Sequence, residues 1–206
     1  MSEATERTRI LNPEYLLRAY CSGYFPMADG REGELHWYSP DPRTIFDPGV
    51  LRVSRSLRQS LRKLTDVRWN TAFEPVMRAC AERDDTWISE EIVASYTLLH
   101  SLGFAHSVEV WIEERLAGGL YGVSVGAAFF GESMFSRITD ASKVALVHLV
   151  RRMQERQFAL LDAQFMTPHL ATLGAREIPR DEYLRRLEEA VGQVRQLVGQ
   201  QSTTEE

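Results

Sequence analysis

The thirty residues HSVEVWIEERLAGGLYGVSVGAAFFGESMF, 106–135, constrain the fold most. Apolar and polar residues alternate in short runs, divided by the turn signals EER and SVG. This period of two predicts three consecutive strands, mostly antiparallel. Helical patterns bracket them. Ahead, DDTWISEEIVASYTLLHSLG offers Asp and Thr caps, sets Ile92, Tyr96, Leu99 and Leu102 at helical spacing, and stops at Gly103. Behind, DASKVALVHLVRRMQERQ has Asp140 as cap, with Val144, Val147, Val150 and Met153 on one face. FALLDAQF then has the length of a strand. PRDEYLRRLEEAVGQVRQLVGQ repeats Leu184, Leu187, Val191, Val194 and Val198 at steps of three and four, the pattern of a packed amphipathic helix. Helix, strand meander, helix, strand and helix specify an α+β layer arrangement with a central sheet. The final QSTTEE reads as a disordered tail.

Upstream, NPEYLLRAYCSGYF is a short helix capped by Asn12, with Pro13 in its first turn and Gly23 as its stop. FPMADGREGELHWYSPDPRTIF reads as turns around a short strand or two, with Pro40 and Pro42 forbidding a regular central strand. The basic segment after it leads into RWNTAFEPVMRACAERD, which reads as strand, turn and helix. Residues 1–83 thus form a small mixed α/β module, and 84–206 a second domain.

Several chemistries are excluded. The chain has 206 residues, 44% of them apolar and 26% charged, with no apolar run long enough to span a bilayer. MSEATERTRI lacks a signal-peptide core, which makes the cytoplasm the default location. Cys21 and Cys80 are too few and too far apart for a disulfide framework or a zinc site, and read as small buried hydrophobes. No histidine lies in a metal-binding spacing, and neither GxGxxG nor GxxxxGK[ST] occurs. Gly118, Gly119 and Gly122 read as tight turns or close strand packing. GESMF fails as a nucleophile elbow because Phe135 stands at its fifth position.

A net charge of −5 argues against a nucleic-acid partner, but its distribution matters more. Arg52, Arg55, Arg58, Arg62 and Lys63 fall within twelve residues that contain no acid. On a helix the arginines form one stripe, either an ordinary solvated face or a track for an RNA backbone. Three polar residues sit where apolar ones are expected. Glu132 lies inside FFGESMF, and Asp162 and Gln164, two apart in LLDAQF, share one face of a strand. Buried acids are tolerated mainly where they are paired or functional. The structural reading is an internal salt bridge from Glu132 or Asp162 to Arg137 or Lys143.

The segments AYCSGYFPM, WYSPDPRTIF, TWISEEIVASYTLLHSLGFAHSVEVW, LAGGLYGVSVGAAFFGESMFSR, DASKVALVHL and LLDAQFMTPHLATLGAREIPRDEYL resemble, in order and spacing, the leucyl/phenylalanyl-tRNA-protein transferases, over residues 11 to about 188. The resemblance implies a bacterial cytoplasmic enzyme, a monomer. Its C-terminal domain would be GNAT-like, preceded by a small N-terminal domain. It would take Leu, Phe or less readily Met from aminoacyl-tRNA and attach it to proteins beginning with Arg or Lys, marking them for degradation. Neither ATP, metal nor other cofactor is needed, because the aminoacyl ester is already activated. Asp162 and Gln164 are implied to orient or deprotonate the α-amine, and Glu132 to pair with the acceptor's basic side chain. Trp87 is implied to stack on the terminal adenosine. Leu120, Phe129, Ala145 and Leu149 would form the donor side-chain pocket, from which β-branched Ile and Val are crowded out. Met27 departs from the family pattern, in which some relatives have Trp. A GNAT-like acyl-CoA transferase keeps the fold and the acceptor amine, but no [RQ]xxGx[GA] segment supports it. A third reading is a catalytically silent binder of tRNA or N termini.

Overall fold

The computed structural model describes residues 10–47 and 49–199; the tail QSTTEE and most of the N-terminal segment MSEATERTRI lie outside them. The expected meander is present as β5 (Ala105–Ile112), β6 (Arg115–Val125) and β7 (Ala128–Ser136), all antiparallel. Glu113 and Glu114, at φ 47° and 60°, make the two-residue turn between β5 and β6. Four further strands complete a mixed seven-stranded sheet: β3 (Arg43–Phe46), β4 (Asp66–Trp69), β8 (Leu160–Gln164) and β9 (Arg176–Ile178). The order is β4-β5-β6-β7-β8-β3-β9, in which, among the described residues, only β7 and β8 pair in parallel. A separate hairpin joins β1 (Phe25–Ala28) to β2 (Leu35–Tyr38).

Helices cover both faces, giving an α+β fold. On one side α1 (Pro13–Cys21), α3 (Phe73–Cys80), α4 (Glu90–Ser101) and α7 (Arg180–Val191) bury Leu16, Met77, Ile92 and Leu187 in one core. On the other, α2 (Arg55–Lys63) and α5 (Ala141–Glu155) bury Leu57, Val144, Val147 and Leu149 in a second. The short α6 (Pro168–Leu173) follows β8, and neither α6 nor β9 was legible as an element.

Several local expectations need correcting. Pro42 does not exclude an interior strand: β3 starts at the next residue, so the missing amide falls outside the ladder, and β3 lies buried between β8 and β9. Residue 83 lies between β4 and β5, which are neighbours in the same sheet; β3 and β4 therefore complete the sheet built by later strands. The α4 cap is Ser89, which accepts from Ile92 N–H, rather than Asp84, Asp85 or Thr86. Asp140 holds the cap position of α5 at φ 67° but makes no capping bond, its carboxylate taking Ser60 and Lys143 instead. The last helix stops at Gly192, and Val194 beyond it is 89% exposed. Cys80 is buried as expected, whereas Cys21 is exposed.

Candidate active site

The site begins where two parallel strands part. β7 and β8 pair only from Ala128–Leu160 to Phe130–Asp162, and each runs on. Beyond that point β8 pairs through Gln164 with Thr44 of β3, while β7 stays with β6. The divergence opens a cavity of about 300 Å³ lined by residues 131–134 and 161–165.

A bulge aims Glu132 into this gap. Gly122 faces Gly131 and Tyr121 faces Ser133, which leaves Glu132 as the extra residue. Only glycine fits at 122, because a Cβ there would lie 2.2 Å from the Phe130 carbonyl oxygen. This is the close strand packing expected for the run AGGLYG. Glu132 is 8% exposed. Its Oε1 accepts from the Tyr20 hydroxyl at 2.7 Å and from Gln164 Nε2 at 2.9 Å, and the Tyr96 hydroxyl approaches Oε2 at 3.5 Å. Tyr20 and Tyr96 also share a hydroxyl–hydroxyl bond. Burial pushes the Glu132 carboxyl up to about 8, despite the Tyr20 bond that favours its charged form.

Asp162 is fully buried and saturated. It accepts from Arg43 Nε at 2.9 Å, Arg43 Nη2 at 2.6 Å, the Tyr183 hydroxyl at 2.8 Å and the Gln164 N–H at 2.9 Å. Arg43, 1% exposed, lies 4.7 Å from the Phe25 ring centroid and 4.5 Å from that of Tyr183, and its Nη1 donates to the Gly23 carbonyl. Burial disfavours the guanidinium charge, but Asp162 outweighs it and the Arg43 pKa is raised. The ion pair expected at Asp162 is therefore present with a different partner; Arg137 pairs with Glu82 and Lys143 with Asp140. Gln164 adopts φ 64°, a left-handed conformation that costs a non-glycine residue roughly 1–3 kcal/mol and that its bond to Asp162 holds.

The rest of the cavity wall is largely apolar. Leu120 and Leu149 line it with Phe46, Met134, Leu146 and Leu161. Phe129 and Ala145 are fully buried in the core that includes Leu120 and Leu149, and are not among the residues lining the cavity. Trp87, partly buried, lines the cavity with Met27, Arg83, Phe165 and His169. The basic stripe forms no part of this wall: Arg52 precedes α2, while Arg55, Arg58, Arg62 and Lys63 lie on it, exposed and without ion-pair partners among the described residues. α2 nevertheless flanks the site. Ser60 bonds Asp140, Asp140 pairs with Lys143, and both charges act on His169 in the wall.

The residues missed from sequence are Arg43, Tyr20, Tyr96, Tyr121 and Tyr183. Tyr96 stood at helical spacing and read as core, and nothing local marked Arg43 as the partner of a residue 119 positions away.

A cleft at parted strands, apolar on one side and closed by a buried acid, an amide and tyrosines, has the character of an enzyme site. Residues 45–188 match the family leucyl/phenylalanyl-tRNA protein transferase, and residues 9–41 match that family's N-terminal domain. Curated relatives named leucyl/phenylalanyl-tRNA–protein transferase include those of Rubrobacter xylanophilus, 55% identical over 88% of this chain and 95% of the relative, and Gloeobacter violaceus, 52% identical over 88% and 94%. The relative from Paramagnetospirillum magneticum is 53% identical over 90% and 91%. The chain belongs to the leucyl/phenylalanyl-tRNA protein transferase family and is a transferase. Among the described residues, no helix is long and apolar enough to cross a membrane.

Proposed function

We propose that this chain transfers leucine, phenylalanine and less readily methionine from aminoacyl-tRNA to the N-terminal Arg or Lys of acceptor proteins. The observation that carries this reading is one cavity joining an apolar wall to the buried Glu132. The donor side chain fits along Leu120, Leu149 and Met134, with Phe129 and Ala145 packed behind them. Ile and Val branch at Cβ and crowd the entrance. Glu132 takes the cationic side chain of the acceptor.

The α-amine of the acceptor attacks the ester carbonyl carbon. The new C–N bond forms as the bond to the ribose oxygen breaks, and the proton lost by nitrogen ends on that oxygen. The ester is already activated, so this reaction asks for no ATP, metal or other cofactor. Gln164 orients the amine. Its Nε2 is committed to Glu132, which leaves its carbonyl oxygen to accept from the amine. Asp162 acts as a positioning residue: each of its oxygens already accepts two hydrogen bonds, and it holds Gln164 in its left-handed conformation.

Trp87 stacks on the terminal adenosine, and the cations from Arg52 to Lys63 follow the tRNA backbone. The catalytic unit is GNAT-like, with the small N-terminal segment completing it. The enzyme acts as a cytoplasmic monomer, and its products are marked for degradation. The test supplies purified protein with tRNA charged with Leu, Phe, Ile or Val and with peptides beginning with Arg, Lys or Ala. Transfer is expected only from Leu and Phe, and only to Arg and Lys. Equal transfer from Ile-tRNA, or to the Ala peptide, overturns the assignment of the pocket.

A further inference from the structure

Tyr121 has a buried hydroxyl that nothing among the described residues bonds. The residue is fully buried on β6, opposite Ser133 and beside the bulge that presents Glu132, and it forms part of the cavity wall. Its ring is held edge-on by Tyr96, with centroids 6.0 Å apart at 90°, and by Phe73, at 5.9 Å and 80°. Packing of this kind serves a phenylalanine equally well. Yet its oxygen has no hydrogen-bond partner among the described residues, although it is shielded from solvent. Leaving a buried hydroxyl unsatisfied is unfavourable, so the position carries a cost in the free protein that a ligand can remove. Among the charges acting on that hydroxyl Glu132 is the strongest, with Arg83 acting in the opposite sense.

Glu132 itself is unevenly used. Its Oε1 takes both the Tyr20 hydroxyl and the Gln164 amide, while among the described residues Oε2 has only the long approach of Tyr96. Tyr121 and Glu132 both line the cavity, so an unspent carboxylate oxygen and an unspent hydroxyl belong to residues of the same wall. A guanidinium has five N–H donors and an ammonium three, and either can address a carboxylate and a hydroxyl together. We infer that Tyr121 is a specificity-determining residue of the acceptor subsite, its hydroxyl oxygen accepting a hydrogen bond from the cationic side chain that Glu132 neutralises. This rests on the proposed reading of Glu132 and adds to it the second polar contact. Discrimination follows, because a neutral, apolar N-terminal residue leaves both groups unpaired on binding.

The test compares wild type with Tyr121→Phe in leucine transfer from Leu-tRNA to a peptide beginning with Arg, together with thermal melts of both proteins. Since no existing hydrogen bond is removed, the melting temperature of Tyr121→Phe is expected to equal or exceed that of wild type. KM for the Arg peptide is expected to rise about tenfold or more, the worth of one hydrogen bond to a charged group. KM for Leu-tRNA and kcat are expected to stay within about twofold. An unchanged peptide KM, or a change in the tRNA KM instead, overturns the inference. So does a clear fall in melting temperature, which would show that the hydroxyl has a structural partner. Absence of transfer by folded wild type overturns the function reading and this inference with it, whereas wild-type transfer with an unmoved peptide KM overturns this inference alone.

Discussion

Asp162→Asn isolates the claim that Asp162 is a structural anion that positions the site rather than a proton acceptor. The wild-type carboxylate accepts four hydrogen bonds, two of them from an arginine that is 1% exposed. An asparagine keeps one acceptor oxygen and turns an NH2 group toward two of those donors, leaving the Arg43 charge buried without its counterion. Breaking one side of a buried ion pair costs about 3–5 kcal/mol. For a chain of this size 1 kcal/mol moves the melting temperature by about 2–4 °C, so a fall of roughly 6–20 °C is expected in a calorimetric scan. Replacing the pair together, as Arg43→Met with Asp162→Leu, is expected to cost less than the two single changes summed, by at least about 2 kcal/mol. Assayed well below its melting temperature, Asp162→Asn is expected to transfer more slowly but to keep the wild-type pH dependence of kcat. A melting temperature within about 2 °C of wild type refutes the buried-pair argument, and a flattened pH profile refutes the positioning role.

Glu132 supplies a pH test with a definite sign. Its folded pKa of about 8 lies above its ordinary carboxyl value, so the fold favours the neutral acid. The resulting stability is complete below the unfolded pKa and is lost as pH rises through about 8. Wild type is therefore expected to melt lower at pH 9 than at pH 6, with the difference reduced in Glu132→Gln; equal differences in the two proteins would contradict this. Arg55→Ala with Arg58→Ala is expected to weaken aminoacyl-tRNA binding and to reduce the slope of log affinity against log salt by roughly one to two. An unchanged slope removes the stripe from the tRNA interface. Gly122→Ala forces a Cβ to within 2.2 Å of the Phe130 carbonyl oxygen and is expected to destabilise the fold by about 3 kcal/mol, measurable by denaturant titration.

The meander was legible because alternation between solvent and core leaves a period of two, and α5 because its apolar face repeats over four turns. The interior position of β3 was not. Four residues after two prolines carry no periodic signal, and their partners β8 and β9 lie more than a hundred residues away. The extent of the last helix was misread because its apolar spacing continues past Gly192, where the chain leaves the helix. Of the site, Glu132, Asp162 and Gln164 stood out as polar residues in apolar runs. The tyrosines and Arg43 that hold them were hidden, because a buried tyrosine looks like core and an arginine after Pro42 looks like surface.

Mass spectrometry of a peptide beginning with Arg, after incubation with the folded protein and Leu-tRNA but without nucleotide or acyl-CoA, reads the transfer itself. The peptide is expected to gain one leucyl residue, attached through its α-amine, and Glu132→Gln is expected to reduce the yield sharply. An unmodified peptide in the presence of intact Leu-tRNA, or leucine attached elsewhere than at the N terminus, contradicts the proposed transfer.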